Sequence, residues 1–229
     1  MTPPNQPASA GRRPTLSPFL LNVLVTTYLL ALCNTTFWGH LFRIFESRTL
    51  TALVFAGAVW ALMLLVVSIL AVRRAQKPVL VALLLTAAVT SYYVDVLGVV
   101  VDRDMIQNAV TTTFAESKHL ITLHFLSHVF LYGVLPSALV LWVRIRRATV
   151  LRGLIGTGLV TVLSAALLVG LLFTNLKAYS TVLRGNKELM GSVQPLAPMS
   201  GALRYAKMMF KSTQITLQPT GRDAKPGPF

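Results

Sequence analysis

Five apolar runs alternate with short polar loops along the chain, at residues 17–37, 50–72, 79–99, 121–143 and 151–173. A bilayer core about 30 Å thick takes about 20 helical residues at about 1.5 Å each, so every run predicts a transmembrane helix. Two further segments show helical periodicity with a polar face. One lies between the third and fourth runs, at Asp104–His119; the other follows the fifth run, from Met199. In the second, Leu203, Ala206 and Phe210 share one face and Arg204, Lys207 and Lys211 the opposite one. The pattern predicts an all-α integral membrane protein with five transmembrane helices, an interfacial helix between the third and fourth, and an amphipathic helix after the fifth. Around that bundle (17–173) it predicts a disordered tail at 1–16, carrying Pro3, Pro4 and Pro7, a bridging segment at 174–211 and a flexible tether at 212–229.

Composition agrees: 54% hydrophobic residues, 12% charged residues and a mean hydropathy of +0.66 are too apolar for a soluble domain. The net charge of +14 invites a nucleic-acid reading, which the placement of the charges argues against. Arg12 and Arg13 precede the first run, Arg73, Arg74 and Lys77 join the second to the third, and Arg144, Arg146, Arg147 and Arg152 join the fourth to the fifth, with no acid among them. On the other side, Arg43 and Arg48 accompany Glu46, and Arg103 and Lys118 accompany Asp102, Asp104 and Glu116. Because basic loops stay in the cytoplasm, the N-terminus is expected inside and the C-terminus outside. The clustered cations then face anionic membrane lipids, with no nucleic acid as partner.

Arg12-Arg13 followed by an apolar run has the outline of a signal peptide, but no small-x-small cleavage site follows before Asn34-Thr35-Thr36, so the run is read as a retained helix. Cys33 stands alone, which rules out an intrachain disulfide, and Leu32 before it is too large for a lipoprotein site. Lys77-Pro78 starts the third helix well, since proline at the first helical position gives up no needed N–H. Gly133 and Pro136 are expected to bend the fourth, a neighbour satisfying the freed carbonyl. Gly57 with Ala61, and Gly153 with Thr157 and Thr161, are candidates for close helix contact.

Candidate chemistry concentrates after the third run. If Asp104–His119 is one helix, Asn108, Thr112 and Glu116 drift only about 40° per step and rise about 6 Å, stacking an amide, a hydroxyl and a carboxylate. Met105, Ile106, Ala109, Val110 and Phe114 then supply an apolar side for the membrane surface. Such a column suits an ammonium group and its neighbouring oxygens, but on spacing alone a solvated face of an interfacial helix is the favoured reading over a ligand site. His124 and His128 are one turn apart with Tyr132 continuing the face; two imidazoles are too few for a metal site, so packing and hydrogen bonding are favoured. Asp95, near the outer end of the third run, needs a partner in the bundle or water to offset its cost.

The order of runs resembles the N-terminal membrane domain of bacterial phosphoethanolamine–lipid A transferases. So do Lys77-Pro78-Val79-Leu80, Ala88-Val89-Thr90-Ser91-Tyr92-Tyr93, Met105-Ile106-Gln107-Asn108 and Gly133-Val134-Leu135-Pro136-Ser137. The resemblance runs from about Ser17 to Lys211. It implies that Asn108, Thr112 and Glu116 bind the phosphoethanolamine headgroup of a phosphatidylethanolamine donor lipid. It also implies residence in the bacterial inner membrane, with a cytoplasmic N-terminus and with the interfacial helix and the C-terminus periplasmic. Members of the family carry a sulfatase-like zinc domain with a threonine nucleophile, opening on a strand and Gly-Glu-Thr-Ala-Arg. That signature is not found here, so no catalytic residue and no zinc ligand is expected in this chain, and a sulfatase-like catalytic domain is an expected partner. Gln194 stands where relatives have asparagine, in the proline-rich Gln194-Pro195-Leu196-Ala197-Pro198, and Met190 stands where an arginine is expected. The resemblance therefore implies a membrane-anchoring, donor-lipid-binding domain of a phosphoethanolamine transferase without activity alone. The alternative is a non-catalytic inner-membrane protein, either a truncated remnant or a regulatory or assembly subunit.

Overall fold

The computed structural model describes residues 14–72, 75–112, 118–146 and 150–212. The chain enters through a two-residue strand, β1 (Thr15–Leu16), followed by α1 (Pro18–Leu32). Ser17 caps α1 by accepting from the Leu20 amide at 3.1 Å, and Pro18 takes the first helical position. Then come α2 (Thr35–Ile44), α3 (Thr49–Leu70), α4 (Gln76–Leu97) and α5 (Arg103–Thr111). After a 3₁₀ turn at Lys118–Leu120, the fourth apolar run forms α6 (Leu123–Val129), a π-helical turn (Phe130–Val134) and α7 (Leu135–Trp142). Strand β2 (Arg144–Ile145) pairs in parallel with β1, and α8 (Val150–Phe173) completes the apolar set. The bridging segment folds as α9 (Leu176–Gly185), α10 (Lys187–Gly191) and α11 (Leu196–Ser212).

Among the described residues four helical stretches are long and apolar enough to cross a membrane: Thr49–Leu70, Gln76–Leu97, Leu123–Trp142 and Ile155–Phe173. The first run departs from expectation. Instead of one helix over 17–37 it is a pair, α1 and α2, bent by 68°. The bend is built from polar atoms that satisfy the broken ladder. Asn34 Nδ2 donates to Leu29 O at 2.8 Å and Trp38 Nε1 to Leu30 O at 2.9 Å, covering carbonyls at the end of α1. Asp95 at the end of α4 accepts from the Thr36 amide at 3.2 Å and its hydroxyl at 2.5 Å, capping α2 from a neighbouring helix. An interrupted helix is tolerated in an apolar bundle only where its freed groups are paired in this way.

At the opposite end of α1, Gln76 Nε2 donates to Pro18 O and to Asn22 Oδ1, both at 2.8 Å. The helices α1 and α4 therefore run side by side in one direction, joined near Pro18 and Gln76 at one end and near Thr36 and Asp95 at the other. Lys77 Nζ donates to Leu141 O at 2.7 Å and Val143 O at 2.6 Å, so the cation that follows the second apolar run caps the last carbonyls of the fourth. The pairing of Thr15 with Arg144 and Leu16 with Ile145 ties the same end together. Order thus reaches back to Thr15, which corrects the disordered tail expected over 1–16 at its inner edge; residues 1–13 and the tether after Ser212 lie outside the described residues.

The bend expected in the fourth run is a π-helical turn. Pro136 has no N–H for Tyr132 O, and that carbonyl instead accepts from the Tyr28 hydroxyl of α1 at 3.0 Å. Gly133 lets the turn approach α4: a Cβ there would lie 2.9 Å from Ala88 Cβ and 3.2 Å from Leu85 Cδ2. The most extensive helix pair is α3 with α8. Gly57 belongs to it, its missing Cβ 3.4 Å from Leu171 Cδ1, and Ala61 is fully buried. The Gly153 expectation fails. Nothing lies within 4 Å of a Cβ at Gly153, and the Thr157 and Thr161 hydroxyls bond back to Gly153 O and Thr157 O within their own helix.

Candidate functional site

Helix α5 carries the first part of the expected polar column. Asp102 starts it by accepting from the amides of Asp104 at 3.0 Å and Met105 at 2.9 Å, and Arg103 pairs with Asp104 at 2.6 Å on the exposed surface. The helix does not reach His119. It ends at Thr111, and Thr112 is extended at φ −71°, ψ 135°. The two threonines turn their hydroxyls onto the preceding turn, Thr111 Oγ1 on Gln107 O at 3.0 Å and Thr112 Oγ1 on Asn108 O at 2.6 Å. Such local bonds compete with helix continuation, and β-branched residues continue it poorly. Asn108 and Thr112 are therefore joined directly, backbone carbonyl to hydroxyl, on an exposed ledge, which replaces the expected side-chain column on one straight helix. Glu116 and Phe114 lie outside the described residues.

The ledge is held from below by the bridging segment. Helix α11 packs along α5, and Gly201 makes this possible: a Cβ there would come 2.9 Å from the Asp102 carbonyl carbon and 3.0 Å from Ile106 Cδ1. A Cβ at Gly191 would similarly meet Val100 Cγ1 at 2.6 Å. Helix α11 begins at Leu196, ahead of the expected Met199, and has three faces instead of two. Ala197 and Gly201 are buried, Arg204, Lys207 and Lys211 are exposed, and Leu203 and Phe210 stand 71% and 76% exposed on a third, apolar side. Of the apolar side expected for α5, Met105 and Ile106 are half-buried while Ala109 and Val110 remain exposed.

Between the ledge and the bundle runs a polar knot that sequence reasoning did not assemble. Asn34 Nδ2 donates to Gln194 O at 2.9 Å and Asn34 Oδ1 accepts from the Gln194 amide at 2.6 Å, so one side chain reads the backbone as a paired strand would. Gln194, 1% exposed, accepts on Oε1 from the Thr90 hydroxyl at 2.7 Å. The Gln194 side chain thus reaches α4, while its Nε2 stays unpaired. The visible signal was the polar Asn34-Thr35-Thr36 at the end of an apolar run; its partner lies 160 residues away.

The histidines serve packing and hydrogen bonding. His128 Nε2 lies 3.1 Å from Ser91 Oγ, and His124 Nδ1 lies 3.3 Å from Tyr92 Oη, which in turn is 3.2 Å from Thr122 Oγ1. The Tyr92 ring meets those of His124, Phe125 and His128 edge-on or tilted, with centroids 5.2 to 5.5 Å apart. Among the described residues no three His, Cys, Asp or Glu side chains come together as metal ligands would.

Residues 59–210 match the family described as phosphoethanolamine transferase EptA/EptB, which is more than half of the chain. The chain is 35% identical over 201 residues to the phosphatidylethanolamine transferase Mcr-2 of Escherichia coli, covering 87% of this chain and 37% of that protein. It is 34% identical over 209 residues to Mcr-1 of the same species, covering 90% and 39%. The fold is similar to that of the integral membrane lipooligosaccharide phosphoethanolamine transferase A of Neisseria meningitidis. There the TM-score is 0.82 at 18% identity, over 91% of this chain and 41% of that one. The chain thus spans less than two fifths of the length of these curated relatives. A multi-pass bundle of apolar helices and a match over residues 59–210 place this chain in the EptA/EptB phosphoethanolamine transferase family, as its N-terminal membrane domain.

Proposed function

We propose that this chain is the membrane-anchoring, donor-lipid-binding part of a phosphoethanolamine transferase that modifies lipid A or a related envelope glycan. The observation that carries the reading is the ledge at Asn108 and Thr112, clamped through Gly201 by the segment that leads onward from the last apolar helix. The ledge and that segment meet, so a headgroup held at Asn108, Thr112 and Glu116 would be presented toward whatever the segment carries. The bound lipid is phosphatidylethanolamine, its ammonium on the Glu116 carboxylate and its phosphate oxygens near the Asn108 amide. The partner is a sulfatase-like domain that would supply zinc and the nucleophile.

The proposed setting is the bacterial inner membrane, crossed five times, with the bent pair α1–α2 as the first crossing. In support, α1 together with the bend matches the length of α4 between its two hydrogen-bonded ends. An odd number of crossings puts the ledge and α11 outside and the arginine-rich loops inside. The test is a chimera joining this chain to the downstream portion of the E. coli relative Mcr-1, with lipid A read by mass spectrometry. Transfer is expected from the chimera and is lost with Glu116→Ala or Asn108→Ala at unchanged membrane levels. Undiminished transfer by both variants refutes the assignment.

A further inference from the structure

A cavity of about 550 Å³ opens at the ends of two apolar helices, well apart from the ledge in sequence. It lies where the loop from α2 to α3 meets the start of α9, directly after α8 ends at Phe173. Ile44, Phe45, Ala178 and Val182 supply apolar walls, and three charges line it: Glu46, Arg48 and Lys177. The aromatic base is firm, since buried Phe45 packs on Phe55 and Tyr179 with centroids 5.9 and 6.3 Å away.

The charges are unspent. The ion pair present among the described residues is Arg103–Asp104, and the charged groups of Glu46, Arg48 and Lys177 form none there. Two cations and one carboxylate around a cavity at span ends would repel a bare cation and over-supply charge for a neutral sugar. They match a ligand carrying both signs, a phosphate between Arg48 and Lys177 and an ammonium at Glu46. At the ends of apolar helices, beside apolar walls, a group with those two charges would be a lipid headgroup.

We infer that the cavity lined by Glu46, Arg48 and Lys177 is a second lipid site, which holds the headgroup of a zwitterionic phosphate–ammonium phospholipid. It does not depend on the ledge. A lipid here seats α9 against the start of α3, where the Tyr179 hydroxyl donates to Thr51 O at 3.3 Å, and so steadies the first helix of the bridging segment.

The test is native mass spectrometry of the purified chain in detergent, titrated with phosphatidylethanolamine or phosphatidylglycerol, with soluble phosphoethanolamine as competitor. The wild type is expected to retain phosphatidylethanolamine over phosphatidylglycerol, and the soluble headgroup to compete only weakly. The double variant Arg48→Gln/Lys177→Gln should bind both lipids about 10-fold more weakly, each charge-assisted contact at an open site being worth about 3-fold. Glu46→Gln should lose the preference for ethanolamine while keeping phosphatidylglycerol. All variants are compared in an Asn108→Ala background, in which the ledge is disabled; there Thr181→Trp, which fills the cavity, should displace both lipids, and restoring Asn108 should add back only the lipid of the ledge, so the two sites fail separately. Equal binding of both lipids by the wild type, full preference in Glu46→Gln, or wild-type affinity in the double variant would each overturn the assignment. Melting curves matching the wild type confirm that these surface variants fold.

Discussion

Removing the Tyr28 hydroxyl offers a sharp test of how the fourth span is built. Pro136 cannot donate to Tyr132 O, and the hydroxyl of Tyr28, 104 residues away, donates instead at 3.0 Å. Tyr28→Phe leaves the ring in place and strands one carbonyl inside an apolar bundle. A net hydrogen bond is worth about 0.5–1.5 kcal/mol, and interhelical bonds in membranes average about 0.6 with a ceiling near 1.7, so a loss of about 1 kcal/mol is expected. The diagnostic step is to repeat the change in a Pro136→Ala background. There the new amide can reach Tyr132 O within the helix, the hydroxyl becomes redundant, and the cost of Tyr28→Phe should fall close to zero. Reversible unfolding in mixed detergent–denaturant micelles, followed by circular dichroism, gives all four corners of the cycle. A cost of about 1 kcal/mol that is the same in both backgrounds would show that Tyr28 acts through packing alone and would refute the reasoning.

Gly133→Ala should destabilise by about 1–3 kcal/mol by forcing the π-helical turn off Ala88, and Ala88→Gly should restore most of that loss; the same unfolding assay reads both. Asn34→Ala removes three bonds at the bend and should cost about 2–4 kcal/mol, with new hydrogen exchange at the amide of Gln194. Asp95→Ala uncaps α2 and should cost about 1–2 kcal/mol, most of it recovered by Asp95→Asn, whose side-chain oxygen can still accept from Thr36. Gly201→Val should separate α11 from α5 and show as faster proteolysis between Thr111 and Lys118 while the apolar core still melts normally.

The apolar runs were legible because lipid leaves little choice: the backbone of a spanning segment must be paired, mostly within a helix, and hydropathy marks it. Pro136 and Gly133 announced a bend by their chemistry; Lys77-Pro78 lies in the first turn of α4, but Gln76 takes the first helical position expected for the proline. What the sequence hid was partnership. Nothing local links Tyr28 to Tyr132, Asp95 to Thr36 or Asn34 to Gln194, because each pair joins segments far apart in the chain that meet only in the folded bundle. The helix ended early at Thr111 for a different reason. Periodicity carried the polar pattern through Thr111-Thr112-Thr113, but hydroxyls that bond back to Gln107 and Asn108 outweigh a pattern with no packing behind it. Helix α11 gained its third face in the same manner: Gly201, silent in a hydropathy plot, became the point that meets α5.

The function proposed for the ledge requires it to lie on the outer side of the membrane. In a Cys33→Ala background, single cysteines at Thr111, at Ser200 and at Arg144 can be probed in intact spheroplasts with a membrane-impermeant maleimide, then again after permeabilisation. Labelling of the Thr111 and Ser200 positions before permeabilisation, and of the Arg144 position only after it, is the predicted result. The reverse pattern, or Thr111 and Ser200 labelled on opposite sides, would contradict it.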